Sequence, residues 1–211
     1  MAFFKSIKQR QLLVTNKKVM YTSLTCAQTL EEIDLAQFKA LFDEGWPILQ
    51  LVRNPVDRVV SFYKDKIIDA GRRNDNGKIQ IQNCQYMLLA MMQMELSLET
   101  TVADILAGLR AVRFDVFALK MLPHLYPHTK HLTPQYAILP EEIREALNDN
   151  NYRVVKMEDS EQLSKELTPL GVDVGVIHNQ SKVNIQVELE ERVSVFIKNL
   201  YTQDYGEYQY E

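Results

Sequence analysis

Trp46-Pro47-Ile48-Leu49-Gln50-Leu51-Val52-Arg53-Asn54-Pro55-Val56-Asp57-Arg58-Val59-Val60-Ser61 is the stretch whose reading decides the fold. Its first half is a short apolar run, the mark of a strand buried in a parallel sheet. Its second half opens a helix. Asn54 is a capping residue and Pro55 suits a first turn. Val56, Val59, Tyr63 and Ile67 recur at helical spacing and form its inner face. Arg53 therefore falls at the carboxyl end of a strand, where open α/β sheets bind ligands.

An earlier stretch repeats the pattern. Leu12-Leu13-Val14-Thr15 reads as another buried strand, and Lys17-Lys18-Val19-Met20-Tyr21-Thr22-Ser23-Leu24 follows it. A helix is expected over residues 22–30. A helix start carries unpaired N–H donors and partial positive charge, so it attracts anions. Lys18 adds a full charge, and Thr22 and Ser23 add hydroxyl donors. No G-x-x-x-x-G-K-[ST] occurs anywhere in the chain, which disfavours an ATPase or a nucleotide kinase. At the later stretch, the planar fork of Arg53 suits a phosphate, with Ser61 on the helix face near it. Each stretch alone has a plainer reading. Lys17 and Lys18 are then surface lysines before an ordinary helix, and Arg53 pairs with Asp57 while Ser61 faces solvent. Two such sites in series suggest a ligand with phosphates at both ends.

The remaining elements support an alternating α/β chain. Residues 31–44 place Leu35, Phe38, Leu41 and Phe42 on one helical face, and Gly45 stops that helix. Residues 71–77 are polar and turn-rich, so a loop is expected there. The middle, about residues 79–122, reads as helical, with a start signature at Thr101 and Asp104. Met87, Met91, Met92 and Met94 read as core filler. A helix is expected over residues 140–147, a strand over 152–157, a helix over 160–167 and a last helix over 189–201. That last helix carries Leu189, Val193, Ile197 and Leu200 on one side. Strands alternating with helices imply a parallel sheet with helices on both faces. With no repeat and no linker, one domain over residues 1–211 is expected.

Composition bounds the function. The 211 residues suffice for one α/β core. Lys and Arg number 24 against 28 Asp and Glu, for a net charge of −4, so no global basic field draws in nucleic acid. The two cysteines, Cys26 and Cys84, make no disulfide framework, and Cys26 is expected to be a buried free thiol. No apolar run is long enough for a signal peptide or a membrane span, which reads as a cytoplasmic location. His124, His128 and His131 lack the cysteines or carboxylates of a zinc site, so no metal is assigned.

The motifs resemble those of PAPS-dependent sulfotransferases, most closely the Golgi carbohydrate sulfotransferases of the chondroitin and dermatan type. Lys17-Lys18-Val19-Met20-Tyr21-Thr22-Ser23-Leu24 is similar to that group's P-K-V-x-x-T-x-W/L. Arg53-Asn54-Pro55-Val56-Asp57-Arg58-Val59-Val60-Ser61-Phe62-Tyr63-Lys64-Asp65-Lys66 is similar to its R-D-P-x-x-R-L-V-S-A-Y-x-x-K. His131-Leu132-Thr133-Pro134-Gln135, the stretch from Tyr152 to Glu158 and the stretch from Tyr201 to Tyr210 resemble three later blocks in the right order. Lys17 replaces the usual proline, Met20-Tyr21 replaces small residues and Asn54 replaces an aspartate. The chain is shorter than the Golgi enzymes, as a compact bacterial-type member would be.

The resemblance implies a P-loop-like three-layer α/β fold, with a central parallel sheet and a helix-rich middle insertion. It implies that Lys18, Thr22 and Ser23, flanked by Lys17 and Tyr21, hold the 5′-phosphosulfate of PAPS. It further implies that Arg53 and Ser61 hold the 3′-phosphate, and that Lys182, in the loop from His178, closes over it. Lys182 as a solvated loop lysine is the alternative. The acceptor is a carbohydrate or another small hydroxyl compound, and oligomeric state is not legible. Lys18 would stabilise the leaving 5′-phosphate, and His131 is assigned as general base because its ordinary pKa suits work near neutral pH. Asp65, Asp69 and Glu158 are its rivals. Two other classes compete: a nucleotide or small-molecule kinase, and a catalytically degenerate domain that binds nucleotide or a partner without turnover.

Overall fold

A computed structural model of the chain describes residues 1–16, 18–71, 79–94, 97, 99–126, 128–175 and 186–211. The chain begins with β1 (Ala2–Ser6), β2 (Gln11–Thr15), α1 (Tyr21–Cys26), β3 (Glu31–Ile33) and α2 (Leu35–Asp43). Next come β4 (Ile48–Val52), α3 (Pro55–Tyr63), a π-helical turn (Lys64–Ile68), α4 (Asn83–Met91) and α5 (Val102–Arg110). After α6 (Phe114–Val116), a second π-helical turn (Phe117–Met121) and α7 (Leu122–Leu125), the chain runs through α8 (Glu141–Glu145) and β5 (Tyr152–Lys156). It ends with α9 (Ser160–Leu167), a 3-10 turn (Thr168–Leu170), α10 (Glu191–Leu200) and α11 (Thr202–Tyr208).

Two compact units result. The first combines Met1–Arg58, Thr133–Gln180 and Tyr201–Glu211, and the second combines Val59–Leu132 and Ser181–Leu200. The first unit holds a five-stranded sheet in the order β3-β1-β2-β4-β5. Strands β2, β4 and β5 pair in parallel, whereas β1 pairs antiparallel with both β2 and β3. The sheet is thus mixed, parallel across β2, β4 and β5. All five residues of both β2 and β4 are buried, as strands covered on two faces require.

Adjacent side chains feed opposite layers, following the period of two in a strand. Phe4, Leu13, Leu49 and Leu51 pack with Leu24 of α1 and Leu163 and Leu167 of α9. Phe3, Leu12, Val14 and Ile48 pack with Phe38 of α2 and Ile143 of α8 on the other side. Helices therefore cover both faces of the sheet.

Strands β1 and β3 depart from the sequence expectation. The β1–β2 turn contains none of the Gly or Asn signals of a tight hairpin; instead Arg10 itself takes a left-handed backbone, φ 48°. Glu31 and Glu32 belong to an edge strand, where charge protects an open edge, and not to the helix expected over 31–44. That helix is Leu35–Asp43, capped by Asp34 at 2.8 Å from Gln37 N, and Gly45 ends it at φ 83°. The helix expected over 22–30 stops at Cys26, whose thiol is exposed; Cys84 is the buried one. The last helical region is broken at Tyr201 into α10 and α11, and Leu189 is exposed outside it.

The second unit is helical and built around aromatic rings. Phe62 stacks on Phe117 with centroids 5.8 Å apart, and Tyr63 meets Phe114 edge-on at 5.1 Å. The Tyr63 hydroxyl donates to Val112 O at 2.7 Å. Thr101 and Asp104 form a capping box at the start of α5, as their spacing predicts. Met92 and Met94 are half-buried fillers against Gly108 of α5. The loop expected over residues 71–77 lies outside the described residues from Arg72 onward. Among the described residues, no helix is long and apolar enough to cross a membrane.

Candidate anion site at the strand ends

Strand register builds the site. β2 and β4 pair in parallel with Leu12 opposite Ile48 and Val14 opposite Gln50. Continued by two residues, that register sets Asn16 beside Val52. The chain then leaves both strands at the same end of the sheet, on neighbours about 4.8 Å apart. Lys18 follows the first exit and Arg53 the second.

The first exit is a tight turn held by the chain itself. Thr15 Oγ1 donates to Val19 O at 2.6 Å, and Val19 N donates to Asn16 O at 2.8 Å. Asn16 is fully buried, and its Nδ2 donates to Thr133 O at 3.2 Å. Met20 then takes a left-handed backbone, φ 54°, where glycine is the usual residue. This conformation costs about 1–2 kcal/mol for a residue with a side chain. The Met20 side chain packs against the layer containing Leu13 and Leu24, which offsets the strain. α1 starts directly after it, with no side-chain cap and no acidic residue in its first turn. Lys18 and Thr22 are half-buried and Ser23 is buried. The Tyr21 hydroxyl donates to Glu32 Oε2 at 3.1 Å; burial and that carboxylate push the phenol pKa up.

The second exit is held by Gln135. Its Oε1 accepts from Arg53 N and its Nε2 donates to Arg53 O, each at 2.8 Å. Asn54 Oδ1 caps α3 by accepting from Val56 N at 2.9 Å, as its position predicts. Glu158 Oε1 accepts from Asn54 N at 2.8 Å. The backbone donors of Arg53, Asn54 and Val56 are therefore taken by protein groups, and the guanidinium is a donor open to an anion. Arg53 is half-buried, and burial lowers its pKa, partly opposed by Asp57 and Glu158. Among the described residues, no hydrogen bond or ion pair holds its guanidinium, so the expected alternative of an Arg53–Asp57 salt bridge does not form. A half-buried cation in that state fits an incoming phosphate.

A model of the family described as Sulfotransferase family matches residues 5–211. The chain belongs to the sulfotransferase family. Comparison with curated proteins and with solved structures returned no match.

In this sulfotransferase, Lys18, Tyr21, Thr22, Ser23 and Arg53 all belong to the first unit, at or beside the two strand exits. Ser61, half-buried on α3, and His131 belong to the second unit. The His131 ring lies 6.0 Å from the Phe62 ring, and its backbone N donates to Thr129 Oγ1 at 3.4 Å. Lys17 and Lys182 lie outside the described residues. Of the rival bases, Asp65 pairs with Lys66 at 2.8 Å and Glu158 is engaged with Asn54. Glu158 Oε2 also accepts from the Tyr210 hydroxyl at 3.4 Å.

A pocket of about 500 Å³ opens elsewhere in the first unit, lined by Tyr136, Tyr152, Tyr208 and Arg144 among others. Neither Lys18 nor Arg53 lines it, and Glu141, Glu145, Asp149 and Glu207 make it acidic. A polyanion would be repelled there, whereas the strand ends present cations.

Three residues that shape the candidate site escape sequence reasoning. Asn16 carries only the weak signal of a polar residue ending an apolar strand. Gln135 and Asp204 stand inside family-like blocks, but their roles depend on contacts 82 and 69 residues away along the chain.

Proposed function

We propose that this sulfotransferase moves a sulfuryl group from PAPS to a hydroxyl of a carbohydrate or another small acceptor, as a compact relative of the carbohydrate sulfotransferases. The observation carrying this reading is the half-buried Arg53 guanidinium, held by no ion pair among the described residues and one strand away from the exit that leads to Lys18. Arg53 is assigned to the 3′-phosphate, and Lys18, Thr22 and Ser23 to the 5′ end. When bound, PAPS supplies the activated sulfuryl group.

The residues supply position and charge. The Lys18 ammonium neutralises the negative charge that grows on the departing 5′-phosphate oxygen, and the Thr22 and Ser23 hydroxyls donate to the same group. Arg53 fixes the far end of the nucleotide and so orients the reacting bond in line with the acceptor oxygen. One O–S bond forms as the S–O bond to the 5′-phosphate breaks. The acceptor proton passes to a base, assigned to His131.

Transfer of radiolabelled sulfate from PAPS to a panel of glycans and small alcohols tests the reading. Wild-type protein labels at least one acceptor, and Lys18→Ala abolishes labelling without loss of folding. Ser61→Ala and His131→Ala test the two assignments in the second unit. Tight binding of ATP–magnesium with none of adenosine 3′,5′-bisphosphate supports a kinase instead. Bisphosphate binding without transfer to any acceptor supports a non-catalytic domain.

A further inference from the structure

A buried relay reaches Arg53 from the C-terminal helix. Asp204, on α11, is fully buried. Its Oδ2 accepts from Gln135 N and its Oδ1 from Tyr136 N, both at 2.9 Å. Gln135 is also fully buried, and its carbonyl accepts from Gln50 Nε2 at 3.0 Å. Both backbone groups of Gln135 are thus fixed, which sets the point and direction from which its side chain leaves the chain. That side chain brackets Arg53 at 2.8 Å on both its N–H and its carbonyl. The peptide groups on either side of the Arg53 Cα are therefore clamped, and with them the direction in which the side chain leaves the strand end.

Resting on the donor assignment above, we infer that Gln135, oriented by Asp204, is a positioning residue that sets recognition of the nucleotide 3′-phosphate through Arg53. Gln135 has no need to touch the nucleotide. The backbone of a residue at a strand–helix junction is free to rotate unless clamped, and a swing of the guanidinium breaks a two-pronged phosphate contact.

Calorimetry with two probes, adenosine 3′,5′-bisphosphate and adenosine 5′-monophosphate, separates positioning from bulk stability. Wild-type protein prefers the bisphosphate. Gln135→Leu, which keeps the volume but neither hydrogen bond, lowers bisphosphate affinity about tenfold, the value of a lost charge-assisted contact. It leaves monophosphate affinity unchanged. Combined with Arg53→Ala it gives no further loss, because both changes remove the same contact. Gln135→Asn, a second variant that keeps the amide, is measured alongside in case the leucine variant does not fold, and it shows the same selective loss. A loss equal for both probes, or full additivity with Arg53→Ala, overturns the positioning role. A wild-type protein that shows no preference for the bisphosphate overturns the donor assignment itself.

Discussion

Arg58 and Asp204 are both wholly buried, and their side chains lie 3.5 Å apart, Nη2 to Oδ2. Arg58 Nη1 donates to Thr133 O at 2.6 Å, and the guanidinium lies 4.9 Å from the centre of the Tyr201 ring. Removing one partner of such a pair leaves a charge with no compensation. Asp204→Ala is expected to cost about 3–5 kcal/mol. Arg58→Met combined with Asp204→Asn recovers part of that loss, because no charge remains, while the single amide oxygen accepts from only one of the two backbone N–H groups that the carboxylate serves. Urea unfolding with a constant slope reads both values; a double variant as unstable as Asp204→Ala contradicts this account of the pair.

Arg53 illustrates the opposite balance. Its charge is half-buried with no ion-pair partner among the described residues, so it serves binding at the expense of stability. Arg53→Leu is expected to leave the ligand-free protein as stable as wild type or more so, while bisphosphate binding falls at least about tenfold. Arg53→Lys keeps the charge but loses the fork, and falls between the two. Thermal unfolding with and without the bisphosphate gives both readings. A clear drop in ligand-free stability for Arg53→Leu contradicts the idea.

How much was legible follows from what each residue needs around it. Strands β2 and β4 read directly, because their runs are largely apolar, and β5 reads from its β-branched Val154-Val155 centre. Asn54, Pro55 and the Thr101–Asp104 box read directly because capping is local. β1 and β3 do not, since their pairing is set by neighbours and not by a turn signal. The placement of Lys18, Thr22, Ser23 and Arg53 at or beside two strand exits reads from the sequence as well, because each follows an apolar run. The clamp on Arg53 does not, because Gln135 is 82 residues away and its bonds are to backbone, which no side-chain pattern reveals.

Asp104 carries a pH signature. Its carboxylate accepts from the Thr101 hydroxyl and backbone N–H, which hold its pKa below the ordinary aspartate value. A carboxyl with a depressed folded-state pKa contributes stability above its unfolded-state pKa and loses it as pH falls through the folded-state value. An NMR titration should place Asp104 below the ordinary range, and Thr101→Ala should move it back up. No movement in that variant rules out the capping box as the cause.

Gly171 has φ 71°, and a Cβ there would sit 2.7 Å from Thr29 Oγ1, a hydroxyl that itself donates to Leu170 O. Gly171→Ala is expected to lose about 1–2 kcal/mol from the left-handed backbone alone, and more from the clash. Adding Thr29→Ala recovers the clash share only. Denaturant midpoints of the three variants check this; complete recovery in the double variant would show that the backbone term is absent.

The most direct test is a crystal structure of the protein with adenosine 3′,5′-bisphosphate. One nucleotide should lie across the ends of β2 and β4, its 3′-phosphate on the Arg53 guanidinium and its 5′-phosphate among Lys18, Thr22 and Ser23. A nucleotide bound elsewhere, or one that reaches Lys18 while Arg53 points away, would contradict the account.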